Sequence, residues 1–387
     1  MFTQYEPLET LAPSLFGYVQ KCRHVPTGEC VAVKRMEWRF AACKRSKTSE
    51  NAVEEDLLTE IKMNLRVQLL GGHPNVLPLR DCIMDDEAVL LVLKYCQQGE
   101  LLDVLNTKRA ARQPIYTMHY FAQTLRGAAF LHANDIAHRD LSLENVLVDE
   151  RDCCYITDFG LATQCRGNMA VKPVGKLRYM APELTAALVY QDEELEEYDP
   201  KAADVWALGV MLYAMVAARY PFCQPLRNDD RFRLLEDFGV DYLLEKDEVD
   251  VREKKEVVDL LKKMLVVDPS KRSTLAKLQS HPALYAVEKE TRLRVKQAQP
   301  QDFVPQVTVT NSQDARQRTR SLGHFFGKRS LASVCPNALL SKMEKNKQAY
   351  AASTVSAAAA PNTGNNESKH QRADGTLLCK CFVPALA

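Results

Sequence analysis

Within Ala137-His138-Arg139-Asp140-Leu141-Ser142-Leu143-Glu144-Asn145, and in Thr157-Asp158-Phe159-Gly160 a short way on, carboxylates and an amide recur at a spacing suited to chemistry on a hydroxyl. A carboxylate such as Asp140 can orient an attacking hydroxyl and take its proton if it sits within hydrogen-bond reach. The Asn145 amide and the Asp158 carboxylate offer hard oxygen ligands to Mg²⁺, an ion that otherwise keeps waters and phosphate oxygens around it. For these groups to converge, the chain between them must double back. Val146-Leu147-Val148 and Tyr155-Ile156-Thr157 read as two antiparallel strands, with Asp149-Glu150-Arg151-Asp152 as their turn. Such a hairpin returns Asp158 to the end at which Asn145 lies. The bland alternative is a hairpin whose carboxylates are merely solvated.

HRDLSLEN followed by TDFG resembles the catalytic loop and metal-binding loop of eukaryotic protein kinases, where the matching residues read HRDLxxxN and DFG. The resemblance implies a bilobal α+β fold with a β-rich small lobe and a mainly helical large lobe. It also implies ATP as phosphoryl donor and Mg²⁺ as its ion, with Mn²⁺ as an alternative. In that reading Asp140 orients the nucleophile, while Asn145 and Asp158 hold the metal.

Upstream, residues 5 to 37 alternate in strand fashion, and Pro26-Thr27-Gly28-Glu29 reads as a turn between strands. Leu11 to Val19 stands where the family carries its glycine-rich phosphate cover, GxGxxGxV. Only the last glycine is present, as Gly17. Ala12 and Ser14 fill the first two positions, and Pro13 stiffens the loop and removes an amide donor. Taken alone, this stretch reads as a plain hairpin turn. Val31-Ala32-Val33-Lys34 matches VAIK, which implies Lys34 on the α- and β-phosphates, held by a carboxylate of the next helix.

Residues 38 to 51 are basic and polar and read as a loop. A helix is expected from Ala52 to Leu70, with Glu60 as the partner of Lys34 and Glu54 and Glu55 as competitors. One helical turn beyond Glu60 lies Asn64, where the family prefers an apolar residue. Val89 to Leu93 reads as a buried strand, followed by the interlobe hinge. By resemblance, the Lys94 carbonyl and the Cys96 amide would bond adenine. Val19, Ala32, Leu93 and Leu147 would line the adenine slot, and Leu11, Gly17 and Thr157 join them as nucleotide contacts. Glu100 sits where the family uses a glutamate for the ribose and often for a substrate arginine.

In the second half, Leu101 to Leu105 and Met118 to Ala133 read as helices; Met118, Phe121, Leu125 and Ala128 make one buried face of the latter. Val205 to Ala218 is the longest apolar run, too short for a bilayer span of about 20 residues and suited to a central core helix. It resembles the DVWSLG helix of the kinase large lobe. Ala181-Pro182-Glu183 resembles APE and Asp268 to Arg272 resembles DPxxR, which implies a structural pair between Glu183 and Arg272.

Two departures appear together. Serine/threonine kinases usually have a lysine where this chain has Ser142, and a threonine where it has Lys176. The expectation is a reciprocal exchange, in which Lys176 reaches back to Asp140 and the γ-phosphate and Ser142 supplies the hydroxyl. The alternative is a degenerate, inactive kinase. Arg139 precedes the catalytic aspartate, as in kinases ordered by a phosphate on the activation loop. Yet residues 164 to 173 hold no hydroxyl side chain, so Arg139 is expected to find another acceptor or water.

The kinase resemblance covers residues 5–285: small lobe 5–93, hinge 94–97 and large lobe 98–285. Residues 286–387 read as a charged helix over Glu288 to Gln299 and then a disordered tail, rich in Gln, Asn, Ser, Ala and Lys. Arg316 to Ser321 places arginines ahead of a serine, and Cys379 and Cys381 beside apolar neighbours are candidate lipid acceptors. A net charge of +1 gives no mandate for nucleic-acid or membrane partners. The twelve cysteines show no paired CxxC spacing, and the chain opens at Met1-Phe2-Thr3 with no charged-then-apolar leader. Reduced thiols and a cytoplasmic location, with the nucleus as alternative, are the expectation.

The expected function is a protein serine/threonine kinase moving the γ-phosphoryl of Mg-ATP onto protein substrates. Glu144 follows the catalytic loop as in serine/threonine kinases, and Glu100 with Glu144 favours basic residues before the target hydroxyl. A scaffold pseudokinase and a tyrosine kinase are the alternatives.

Overall fold

The computed structural model describes residues 4–43, 46–47, 54–84, 87–113, 115–168, 172–190 and 197–284. The expected charged helix and the tail with Arg316 to Ser321, Cys379 and Cys381 lie outside the described residues.

The small lobe opens with strands β1 (Tyr5–Ser14), β2 (Gly17–His24) and β3 (Cys30–Glu37). Helices α1 (Trp38–Cys43) and α2 (Leu57–Leu69) follow, then β4 (Leu79–Met84) and β5 (Ala88–Lys94). The strands form one antiparallel sheet in the order β1-β2-β3-β5-β4. Both faces of β5 are covered, so it reads as an unbroken apolar run with side chains alternating between faces. Val89, Leu91 and Leu93 join Met36, Ile61 and Leu65 in the core under α2. Leu90 and Val92 join Tyr5, Val31 and Val33 on the other face.

Two sequence expectations need correction here. Residues 38 to 43 are helical rather than loop, because Trp38 is completely buried in the core beneath α2 and draws its neighbours in. The second helix begins at Leu57, so Glu54, Glu55 and Asp56 lie outside it, and Ala52 and Val53 lie outside the described residues. Asp56 caps it, its carboxylate accepting the Leu58 N–H at 2.9 Å. The Asp56 N–H donates to the Gly160 carbonyl at 3.1 Å, which holds this start against the Asp158-Phe159-Gly160 turn.

The large lobe carries β6 (Gly99–Glu100), α3 (Leu101–Ala110), α4 (Thr117–Ala133) and β7 (Ile136–Ala137). Next come β8 (Val146–Val148), β9 (Cys154–Ile156), β10 (Thr163–Gln164) and α5 (Pro182–Tyr190). The chain closes with α6 (Pro200–Ala217), α7 (Asp230–Lys246), α8 (Lys255–Met264) and α9 (Leu275–Leu278). The third helix runs one and a half turns past its expected end at Leu105.

Helix α6 is the axis of this lobe. Asp199 caps it, Pro200 starts it, and it is buried from Ala202 to Met215 against α4, α8 and the rest of the core. No helix of the described residues is long and apolar enough to cross a membrane. No disulfide joins any two of the nine described cysteines.

Candidate active site

The catalytic loop is the connection between β7 and β8, and α6 holds it from below. Asp204, the single acid within the apolar stretch of α6, is buried and accepts the His138 and Arg139 N–H groups at 2.8 Å each. Its Oδ2 also lies 2.9 Å from His132 Nε2. These bonds support Arg139 in the left-handed region, at φ 66°, where a non-glycine residue needs outside support. The sequence signal for Asp204 is a lone acid at the head of an otherwise apolar run, a residue that must find partners once buried.

The β8–β9 hairpin forms as expected, Val146 pairing with Ile156 and Leu147 with Tyr155. Thr157 N–H donates to the Asn145 carbonyl at 3.0 Å, and the Thr157 carbonyl accepts from His138 Nε2 at 2.9 Å. Asp158 follows with φ 65°. The two ends of the hairpin thus bring Asn145 and Asp158 to one place.

Asp140 is tightly surrounded. Asn145 Nδ2 donates to its carbonyl and to its Oδ2, both at 2.7 Å. Lys176 N–H reaches Oδ1 at 3.2 Å, and Lys176 Nζ reaches Oδ2 at 2.9 Å. The same ammonium donates to Ser142 Oγ at 3.1 Å, and Ser142 is fully buried.

From the small lobe, Lys34 Nζ meets Glu60 Oε1 at 2.6 Å and Asp158 Oδ1 at 3.4 Å. Burial alone would lower the Lys34 ammonium's pKa, but Asp158 and Glu60 outweigh it and hold that pKa above the usual lysine range. Burial would likewise raise the Asp158 carboxyl, and Lys34 and His138 instead keep it below the usual carboxylate range. Burial pushes the Glu60 carboxyl up, against the pull of Lys34.

Of the three glutamates weighed as partners, Glu60 makes the ion pair. Glu55 nonetheless belongs to the same field: burial, with Asp158 beside it, pushes its carboxyl up to about 7 despite Lys34. Asn64 is buried and turns its Nδ2 back onto the Glu60 carbonyl at 2.8 Å, which satisfies a polar group where an apolar one was expected.

The expected nucleotide contacts divide into two sets. Ala32 and Leu93 are buried and paired across β3 and β5. Leu147, from the large lobe, packs against the small-lobe core, so it spans the two lobes. Lys94 Nζ is bound by Asp149 at 2.8 Å and Tyr155 at 2.8 Å, which ties the hinge to the β8–β9 hairpin. Glu100 pairs with Leu147 in β6–β8.

The phosphate-cover stretch is a tight hairpin, Ser14 opposite Gly17, with Leu11 exposed and Val19 facing Lys34 in β3. Phe16 is buried in the small-lobe core, and the Leu15 carbonyl accepts the Lys47 N–H at 2.6 Å. A Cβ at position 17 would come within 2.0 Å of the Arg35 carbonyl oxygen, so only glycine lets β2 approach β3 this closely.

Among the described residues, no group of three or more His, Cys, Asp or Glu could cage a metal unaided. Asn145 and Asp158 suit an ion that takes few protein oxygens and completes its shell with phosphate and water. The Asn145 NH₂ is committed to Asp140, which leaves its oxygen as the cation-facing end.

The Lys34 ammonium and the Asp158 carboxylate, and beside them Asp140 with Asn145 and Lys176, thus gather polar and charged groups between a sheet lobe and a helical lobe. The family model of the protein kinase domain matches residues 5–284, and the chain belongs to the protein kinase family. It is 32% identical to the maternal embryonic leucine zipper kinase of Danio rerio over 57% of this chain and 30% of that protein. It is 31% identical to the putative sperm motility kinase W of Mus musculus over 57% of this chain and 40% of that protein. The chain therefore spans less than half the length of these relatives.

Proposed function

We propose that this protein transfers the γ-phosphoryl group of ATP to a serine or threonine hydroxyl of a protein substrate. The observation that carries the reading is the setting of Asp140: an acceptor carboxylate fixed by Asn145 and Lys176, in the cleft that Lys34 and Asp158 also enter. In the step, the substrate oxygen forms a bond to the γ-phosphorus as the bond to the β–γ bridging oxygen breaks. ADP leaves with that electron pair, and the hydroxyl proton passes to Asp140.

Asn145 and Asp158 would hold a divalent cation, which when bound neutralises charge on the phosphate oxygens. Lys34, kept charged by Asp158 and Glu60, binds the inner phosphates. Placement and charge carry the rate, since little covalent chemistry falls to the protein.

Acidic groups in the substrate part of the cleft support a preference for basic residues before the target hydroxyl. Glu144 is held by Tyr179 Oη at 2.9 Å through one carboxylate oxygen. Burial raises the Glu100 carboxyl, with Asp103 and Glu144 adding to it, so a substrate cation there relieves repulsion.

The test is a peptide library incubated with Mg-ATP, with phosphoamino-acid analysis and the Lys34→Met variant as control. Phosphoserine or phosphothreonine from the native protein alone supports the reading. Phosphotyrosine would replace it with a tyrosine kinase, and no product at all would favour a scaffold.

A further inference from the structure

We infer that Lys176, carried by the segment between Asp158 and Ala181, is the ammonium that stabilises the transferring phosphoryl group, with Ser142 as its positioning partner. The inference rests on the phosphotransfer reading above and adds to it a catalytic group outside the catalytic loop.

Asp140 takes a single described cation as ion-pair partner, and that cation is Lys176. Its ammonium has three N–H donors. One goes to Asp140 Oδ2 and one to Ser142 Oγ, and the side chain is still 39% exposed, which leaves the third donor for a bound group. A phosphoryl group moving toward a hydroxyl held at Asp140 must pass beside this charge, where charge develops and a fixed ammonium stabilises it most.

The backbone is shaped for this placement. Gly175 has φ +104°, and a Cβ there would lie 2.6 Å from the Arg139 carbonyl oxygen. Glycine in front of the lysine therefore lets the segment lie against the catalytic loop, close enough for the Lys176 N–H to reach Asp140 Oδ1.

Ser142 completes the arrangement from below. Its Oγ accepts from Lys176 Nζ and from the Asn145 N–H at 3.3 Å, so a neutral, buried hydroxyl joins the loop's metal-facing residue to the segment's cation. A second ammonium at position 142 would crowd the first in a fully buried setting. The consequence is that the charge needed for transfer arrives only when the segment lies against the loop. Segment placement and phosphoryl stabilisation become one event.

The test combines turnover with a binding measurement. Lys176→Met should lower kcat by about 100-fold or more while leaving the KM for ATP within about threefold. Calorimetry should show unchanged affinity of the variant for Mg-ADP, and about tenfold or greater loss for Mg-ADP with aluminium fluoride, a mimic of the phosphoryl in flight. Ser142→Lys and Lys176→Thr should each impair turnover alone and recover it when combined, since the pair then exchanges roles.

Near-native kcat in Lys176→Met, or equal loss of affinity for both ADP complexes, would overturn the inference while the kinase reading stands. A native protein that transfers no phosphoryl and binds neither ADP complex would overturn both. Thermal melts of each variant separate lost folding from lost chemistry.

Discussion

Arg272 offers the most quantitative test of how α5, through Glu183, is held against the large lobe. All five guanidinium N–H groups are used: Nε to the Val266 carbonyl at 2.7 Å, Nη1 to Glu183 Oε1 at 2.6 Å and the Ala202 carbonyl at 3.2 Å, and Nη2 to Glu183 Oε2 at 2.6 Å and the Val267 carbonyl at 3.0 Å. The side chain is 0% exposed and that of Glu183 is 15% exposed. Arg272→Ala leaves a carboxylate and three carbonyls without their donor in a site that water reaches poorly. Breaking a buried pair in this way costs about 3–5 kcal/mol, at least twice the loss expected for an exposed pair.

Arg272→Lys supplies at most three donors and no fork, so it should recover only part of the loss. Glu183→Gln combined with Arg272→Met should cost less than the sum of the two single changes, because no charge is stranded. Urea unfolding reads these differences, and the two tryptophans report the lobes separately: Trp38 is buried in the small lobe, and Trp206 lies 5.1 Å beneath the Arg272 guanidinium. A loss below about 1 kcal/mol in Arg272→Ala would refute the burial argument and place the pair among weak surface contacts.

Glu55, with its carboxyl at about 7 against an ordinary 4.5, binds a proton more readily in the fold than in the unfolded chain. The nucleotide-free protein should therefore lose up to about 3 kcal/mol of stability as pH rises from 4.5 through 7, a slope that Glu55→Gln removes; parallel urea profiles would contradict this. Arg139 is satisfied by Tyr198 Oη at 3.1 Å and by the Leu161 and Lys172 carbonyls, so phosphatase treatment should leave activity intact. A loss of about tenfold, reversed by a phosphate on residues 164–190, would show that the arginine needs a phosphate. Gly17→Ala should destabilise the small lobe by about 1–3 kcal/mol through the clash with the Arg35 carbonyl, and an unchanged Trp38 unfolding midpoint would count against it.

The catalytic loop and the β8–β9 hairpin were legible because ion and phosphate chemistry restricts both residue type and spacing. The β3–β5 core was legible because strand alternation is a short-range pattern. The start of α2 was not: Glu54 and Glu55 are good helix formers, and although the Asp56 cap is local, the Gly160 carbonyl that holds the Asp56 N–H belongs to a segment far along the chain. Helix α1 was hidden because six residues with two buried positions, Trp38 and Ala41, are too few to show a period. Gly17 was noticed for phosphates, while the contact that demands glycine is with a neighbouring strand's carbonyl. The acceptors of Arg139 were unreadable because two of them are backbone carbonyls, which any sequence supplies.

The central claim is that Asp140, Asn145, Asp158 and Lys34 act together on the end phosphate of ATP. Incubation of the native protein and Asp158→Asn with γ-labelled ATP, Mg²⁺ and a serine-containing basic peptide tests it most directly. The expected result is Mg²⁺-dependent label on the peptide, lost with chelator and lost in Asp158→Asn, while both proteins melt alike. Equal labelling by the two proteins, or none by the native protein, would contradict it.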